Sequence, residues 1–424
     1  MSVAAVVVLY LSWCALPSVH SEAEVKQVLS SQQQAFEEDQ KVSKDLALNA
    51  FLDPQFAPYW GRKSVEMRPN SPVADTVSAM REYSILGAAK DPQTARLWQR
   101  KDGALRKAAA DFAVLNSSLQ KVLARPYFVI PNSQVPSIDS ETANFLAQRN
   151  LAQALSAYAE VQIADGKPEV ALGTALEILS LAKLVVSQKS HNLIGIMVAS
   201  ALQTTGQETL AAVLQSSNRW SPTSLHQALA GLESTFVSPD LALESLECEL
   251  WLAQNYFRAK PDTALGKIPG LWSREWRLYQ NDYFPAIQAM RAHQPVNLAW
   301  VSQFSVMNWL LGQHSWVSGT VFPNFNRISG LLELGRQRRD FLHLYAELLL
   351  QQAEGKLPSS LDPKSLGRLV PGRVSYLNAK GQPQLTYEID PVLARQLPGV
   401  PPAGRSSAAW QTLMQPHWAL PVSL

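Results

Sequence analysis

The arrangement closest to a metal site is Asp340, His343 and Glu347. Their i, i+3, i+7 spacing places all three on one face of a helix, and zinc or iron accepts such ligands. Three ligands on one helix lack a second contributing element and the outer hydrogen bonds that orient a bound metal. Arg336, Arg338 and Arg339 stand one turn earlier. An ion-paired face therefore accounts for the same residues, and no metal or other cofactor is expected. Three arginines without a longer basic run also make a poor anionic-lipid or phosphate site. A second set is Glu244, Glu247 and Glu249, on a helix with Cys248 and Trp251. A carboxylate pair acts as general acid and base when burial raises one pKa, but acidic residues near a helix start are also what the macrodipole favours. His191, His293 and His314 are isolated and read as packing or surface residues. The chain has no phosphate-binding loop, dinucleotide glycine pattern, Gly-x-Ser-x-Gly elbow or His-Glu-x-x-His. No catalytic residue is assigned.

The aromatic residues are the local anomaly. Trp251, Trp272, Trp276, Trp300, Trp309 and Trp316 are half of the 12 tryptophans, yet they fall in one short stretch. Trp272, Trp276, Tyr279 and Tyr283 recur at helical spacing and form a continuous aromatic edge. Such an edge serves equally as a core between two helices or as one wall of a groove for a peptide, glycan or apolar ligand, since Trp and Tyr combine contact area with a polar handle. The candidate ligand- or partner-binding residues are Trp272, Trp276, Tyr279, Tyr283, Trp300 and Trp309. Pro285 would kink the helix just beyond the stripe and open a cleft.

The elements that must position these residues are mostly helical. Residues 22–52 contain neither Gly nor Pro and read as one long helix, followed by a Pro- and aromatic-rich loop to residue 72. A second long helix begins at Asp91-Pro92, with the segment 75–88 as its partner. Lys167-Pro168, Ser221-Pro222 and Ser238-Pro239 each place proline at a first helical position, two of them behind a serine cap. Strand candidates are few. The clearest is a hairpin of 374–377 with 384–389, and residues 390–424 carry six prolines. The expected divisions are 1–21, 22–138, 139–258, 259–355, 356–390 and 391–424.

From Ser2 to Ser21 there is no Asp, Glu, Lys or Arg, and Val3–Leu16 is nearly continuous apolar sequence ended by Pro17. This fits a signal-peptide core with cleavage ahead of Glu22, or a retained anchor, although a basic leading region is missing. Leu11-Ser12-Trp13-Cys14 is similar to a lipoprotein box, with Trp13 too bulky for that site. The 37 basic and 35 acidic side chains leave a net charge of +2, which argues against nucleic-acid binding. Two cysteines exclude a disulfide framework.

The stretch Leu151–Lys183 resembles a tetratricopeptide repeat. Gly166 stands at the helix–helix turn, Ala159 and Ala171 at small positions, and Leu155, Tyr158 and Leu172 at large apolar ones, while Gln162 and Ile178 depart from the pattern. Ala199, Gly206 and Ala211 repeat the spacing 40 residues on. More broadly, residues 150–389 resemble a group of uncharacterised, N-terminally anchored helical proteins of bacteria, through the Gly166-Lys167-Pro168 turn, His191-Asn192-Leu193-Ile194-Gly195, Tyr345, Gly355-Lys356-Leu357-Pro358, Ser360-Leu361 and the hairpin. The last part is similar to the globular end of pseudopilins, without their N-terminal helix. The resemblance implies architecture and anchoring but no activity.

The expected fold is all-α, as antiparallel helical hairpins or an irregular α-solenoid, with a small C-terminal β-hairpin. The expected function is an exported, membrane-tethered, non-enzymatic binding or assembly module of the cell envelope, with an envelope protein or peptide as partner. The alternatives are an envelope hydrolase using Glu244 and Glu247, or a carrier of an apolar ligand in a Trp-lined cleft.

Overall fold

A computed structural model describes residues 22–61, 71–83, 103–131, 136, 144–190, 192–217, 220–259, 271–292, 313–356, 374–379, 382–387 and 417–419. The protein is predominantly helical, with eleven α-helices among these residues. No helix among them is long and apolar enough to cross a membrane. The N-terminal segment 1–21 lies outside the described residues.

The first helix is shorter than its apolar spacing predicts. α1 is Glu22–Val42, and the chain turns where a helix to residue 52 was expected. The cause is Asn49, which is fully buried. Its Nδ2 donates to the carbonyls of Ser43 and Val129, both at 2.7 Å. Its Oδ1 accepts the amides of Phe51 at 3.1 Å and Val129 at 3.0 Å. One side chain thus satisfies four backbone groups that would otherwise be buried unpaired. It also secures a single 3₁₀ turn, Ala50–Leu52. Leu46, which continued the predicted stripe, is 52% exposed. Inside the expected loop sits α2 (Ala57–Trp60), where Trp60 stacks on Phe56 and donates to the Phe51 carbonyl at 3.2 Å.

The central helices are α3 (Pro72–Arg81), α4 (Gly103–Leu123), α5 (Phe145–Ala164), α6 (Pro168–Val185), α7 (Leu193–Gln215) and α8 (Pro222–Ser234). The expected start of α4 at Asp91-Pro92 lies outside the described residues. Ser71, Asn144, Asn192 and Ser221 cap α3, α5, α7 and α8 by accepting a backbone amide three residues on. Gly166 adopts φ +71° at the end of α5, with Lys167 N donating to Gln162 O at 2.9 Å and Gly166 N to Ile163 O at 3.0 Å. That is a Schellman ending, which satisfies the last carbonyls and favours glycine.

Close packing around α6 depends on small residues. Ala159, Ala171 and Ala175 are fully buried. A Cβ on Gly206 of α7 would stand 2.6 Å from Leu179 Cδ2, and one on Gly231 of α8 would stand 2.6 Å from Leu176 Cδ2.

α9 (Leu241–Ala259) starts two residues after the Ser238-Pro239 device, α10 is Leu271–Arg291, and α11 is the 38-residue Trp316–Ala353. α11 lies on α7 and α8, α10 on α9, and α9 on α1. Leu385 is buried among residues of α6, α7, α8 and α11.

Candidate functional site

Phe257 of α9 is the hub of the aromatic stripe. Its ring lies 5.6 Å from Trp272, 5.9 Å from Trp276 and 6.0 Å from Tyr279 between centroids, and Tyr279 and Tyr283 stack at 4.1 Å. Tyr279 and Tyr283 are fully buried, while Trp272 and Trp276 are half-buried. The inner half of the stripe is therefore interhelical core. α10 continues through Pro285 to Arg291, with Ala286 and Ile287 buried. Beyond Pro285 the described part of this face is therefore packed at Ala286 and Ile287. Trp300 and Trp309 lie outside the described residues.

Beside the stripe is a buried polar cluster that joins α10 to the start of α11. Asp282 contacts His314 Nδ1 at 2.7 Å and accepts the Ser315 amide at 2.8 Å. Glu275 accepts the Ser315 hydroxyl at 3.0 Å and approaches the fully buried Arg274 at 3.5 Å. Two carboxylates two turns apart on α10 thus hold the N-terminal end of α11, where free amides and the macrodipole favour negative charge. Burial raises the Asp282 pKa, opposed by bonds from His314, Ser315 and Ser318. Glu249 of α9 accepts the Leu193 amide at 3.0 Å and so anchors α7. Burial raises its pKa also, against that bond. Burial and neighbouring carboxylates push the Tyr279 and Tyr283 phenols far up. An aspartate–imidazole pair can fix a tautomer for proton transfer. Here the second oxygen of Asp282 is committed to the α11 backbone, so the pair first of all docks that helix. Sequence reading missed it because 32 residues separate Asp282 from His314.

The other sequence candidates are engaged elsewhere. Asp340 takes Arg336 at 3.2 Å and Arg339 at 2.5 Å, while His343 meets Glu233 at 3.3 Å and Glu347 at 3.4 Å. Arg338 is buried against Glu208 at 3.6 Å. Arg291 donates to Glu247 at 2.6 and 3.2 Å, and of the three glutamates only Glu249 is buried. Cys248 is a buried free thiol whose pKa is raised by burial.

A groove of about 680 Å³ runs between α1 and α9. Leu29 and Trp251, both buried, form its floor. Gln27 and Gln33 from α1 face Gln254 and Asn255 from α9, and Lys26 and Arg258 are its charged lining residues. Gln33 donates to Glu37 at 2.8 Å and Asn255 to the Pro136 carbonyl at 2.9 Å. Of the polar run 30–34 only Ser30 and Gln33 line it, and the partner wall on α9 is more than 200 residues away in the chain.

No family model, curated protein or solved structure matches this chain significantly.

Proposed function

We propose that the protein is an exported helical binding or assembly module of the cell envelope, tethered through its uncharged apolar segment 2–21, with the α1–α9 groove as its partner surface. The observation that carries this reading is the placement of the groove. Its lining begins at Ala23, immediately after the apolar segment, so a tethered chain presents it close to the membrane. Mixed amide and apolar lining suits a polypeptide ligand. In this reading α5 and α6 form a tetratricopeptide-like antiparallel hairpin around Gly166, α7 and α8 extend it as an irregular solenoid, and the C-terminal hairpin closes its end.

Cell fractionation with sequencing of the mature N-terminus tests the tether. An anchored protein stays with membranes at alkaline pH and retains residues 1–21; recovery in the cytosol would end the reading. Ser30→Trp, which fills the groove, should abolish partner enrichment from solubilised envelopes. Unchanged enrichment would remove the groove from the proposal.

A further inference from the structure

Resting on that reading of the groove, we infer that its occupant is an extended acidic peptide segment of a partner protein. Gln27 and Gln254 would hold its backbone, and Lys26 and Arg258 would meet its carboxylates. Each glutamine offers both a donor and an acceptor, which is what the edge of an extended backbone requires. Gln33 and Asn255 already have partners within the protein, whereas Gln27 and Gln254 make no side-chain bond among the described residues and stand on opposite walls. Alternate side chains of an extended segment point to opposite faces, so one set would reach the Leu29–Trp251 floor.

The charge of the groove selects the ligand. Among the described residues, the two charged side chains that line it are both cations, and no carboxylate lines it. Glu22 approaches Lys26 at 4.0 Å, but the two side chains are 85% and 79% exposed. Such a solvated pair holds weakly and exchanges readily for a ligand carboxylate. An anionic lipid surface fits less well, because Glu22 and Glu24 both occupy the first turn of α1 and would face the same headgroups.

The test uses the full chain in phosphatidylcholine nanodiscs and fluorescein-labelled ten-residue peptides of alternating Thr and Glu, Thr and Gln, or Thr and Lys. Anisotropy should show the Glu peptide binding at least tenfold more tightly than the Gln peptide, with no binding of the Lys peptide. Lys26→Gln combined with Arg258→Gln should reduce the Glu peptide to the level of the Gln peptide. Gln27→Ala combined with Gln254→Ala should weaken both. Equal affinity for all three peptides, or an unaffected charge variant, overturns the inference. If Ser30→Trp abolishes binding while the charge variant does not, only the acidic assignment fails; if Ser30→Trp leaves binding intact, the groove reading fails as well. Protection of residues 23–33 from hydrogen exchange by phosphatidylglycerol nanodiscs, without any peptide preference, would assign the groove to lipid instead.

Discussion

The α5–α8 region and the α9–α11 junction are both helix-on-helix cores, but they are specified differently. Around α6 the contacts are made by Ala159, Ala171, Ala175, Gly206 and Gly231 against leucines. At these positions side-chain size sets how near the helices come. At the junction, large rings leave room for carboxylates, and Asp282, Glu275 and Glu249 bond to backbone or hydroxyl groups of other elements. There the fit depends on polar partners that only the assembled fold supplies. The difference shows where each core is vulnerable: the first to volume, the second to the loss of an acceptor.

The largest effect should follow from adding volume to the first core. Gly206→Val puts its Cβ at 2.6 Å from Leu179 Cδ2 and 3.2 Å from the Leu179 amide nitrogen. The side chain can turn away, but the backbone cannot, so we expect a loss of about 3 kcal/mol in urea denaturation. Gly173→Ala on α6 meets nothing within 4 Å and should be neutral or slightly stabilising. If the two variants have equal midpoints, size does not govern this region.

At the junction, Asp282→Ala removes no large volume but takes away the carboxylate that accepts the Ser315 amide and contacts the His314 ring. The expected loss is about 2 kcal/mol, with faster hydrogen exchange at residues 315–318 than elsewhere in α11. A uniform change along α11 would mean that the carboxylate does not act as an anchor for that helix.

The same contrast explains what was legible in the sequence. Apolar spacing and proline or serine caps revealed the helical class, and Gly166 marked its turn, because these signals are local. The end of α1 was not legible, since Asn49 stops it through Val129, 80 residues away. The stripe Trp272–Trp276–Tyr279–Tyr283 was visible as a helical face, but spacing could not distinguish a core from a cleft. That depended on Phe257 filling the space opposite. The groove was illegible for the same reason, its walls being contributed by α1 and α9.

Glu160 breaks the symmetry of the comparison, because it is a carboxylate within the volume-specified core. Its Oε2 is buried with no hydrogen-bond partner among the described residues, and burial alone pushes its pKa from 4.5 up to about 8. Asp282 is also raised by burial but is held by named donors, so removing the two carboxylates should have opposite signs. A carboxyl raised on folding keeps a proton that the unfolded chain has released. Its favourable contribution is fully present below pH 4.5 and is lost progressively up to about pH 8. Glu160→Gln removes that dependence and should stabilise the protein by about 1 kcal/mol at pH 8, less than the full linkage value because the partly exposed group recovers some water. At pH 4 the variant and the parent should coincide. Urea midpoints measured at both pH values check this: a destabilised Glu160→Gln at pH 8 would mean that Glu160, like Asp282, is retained by a partner.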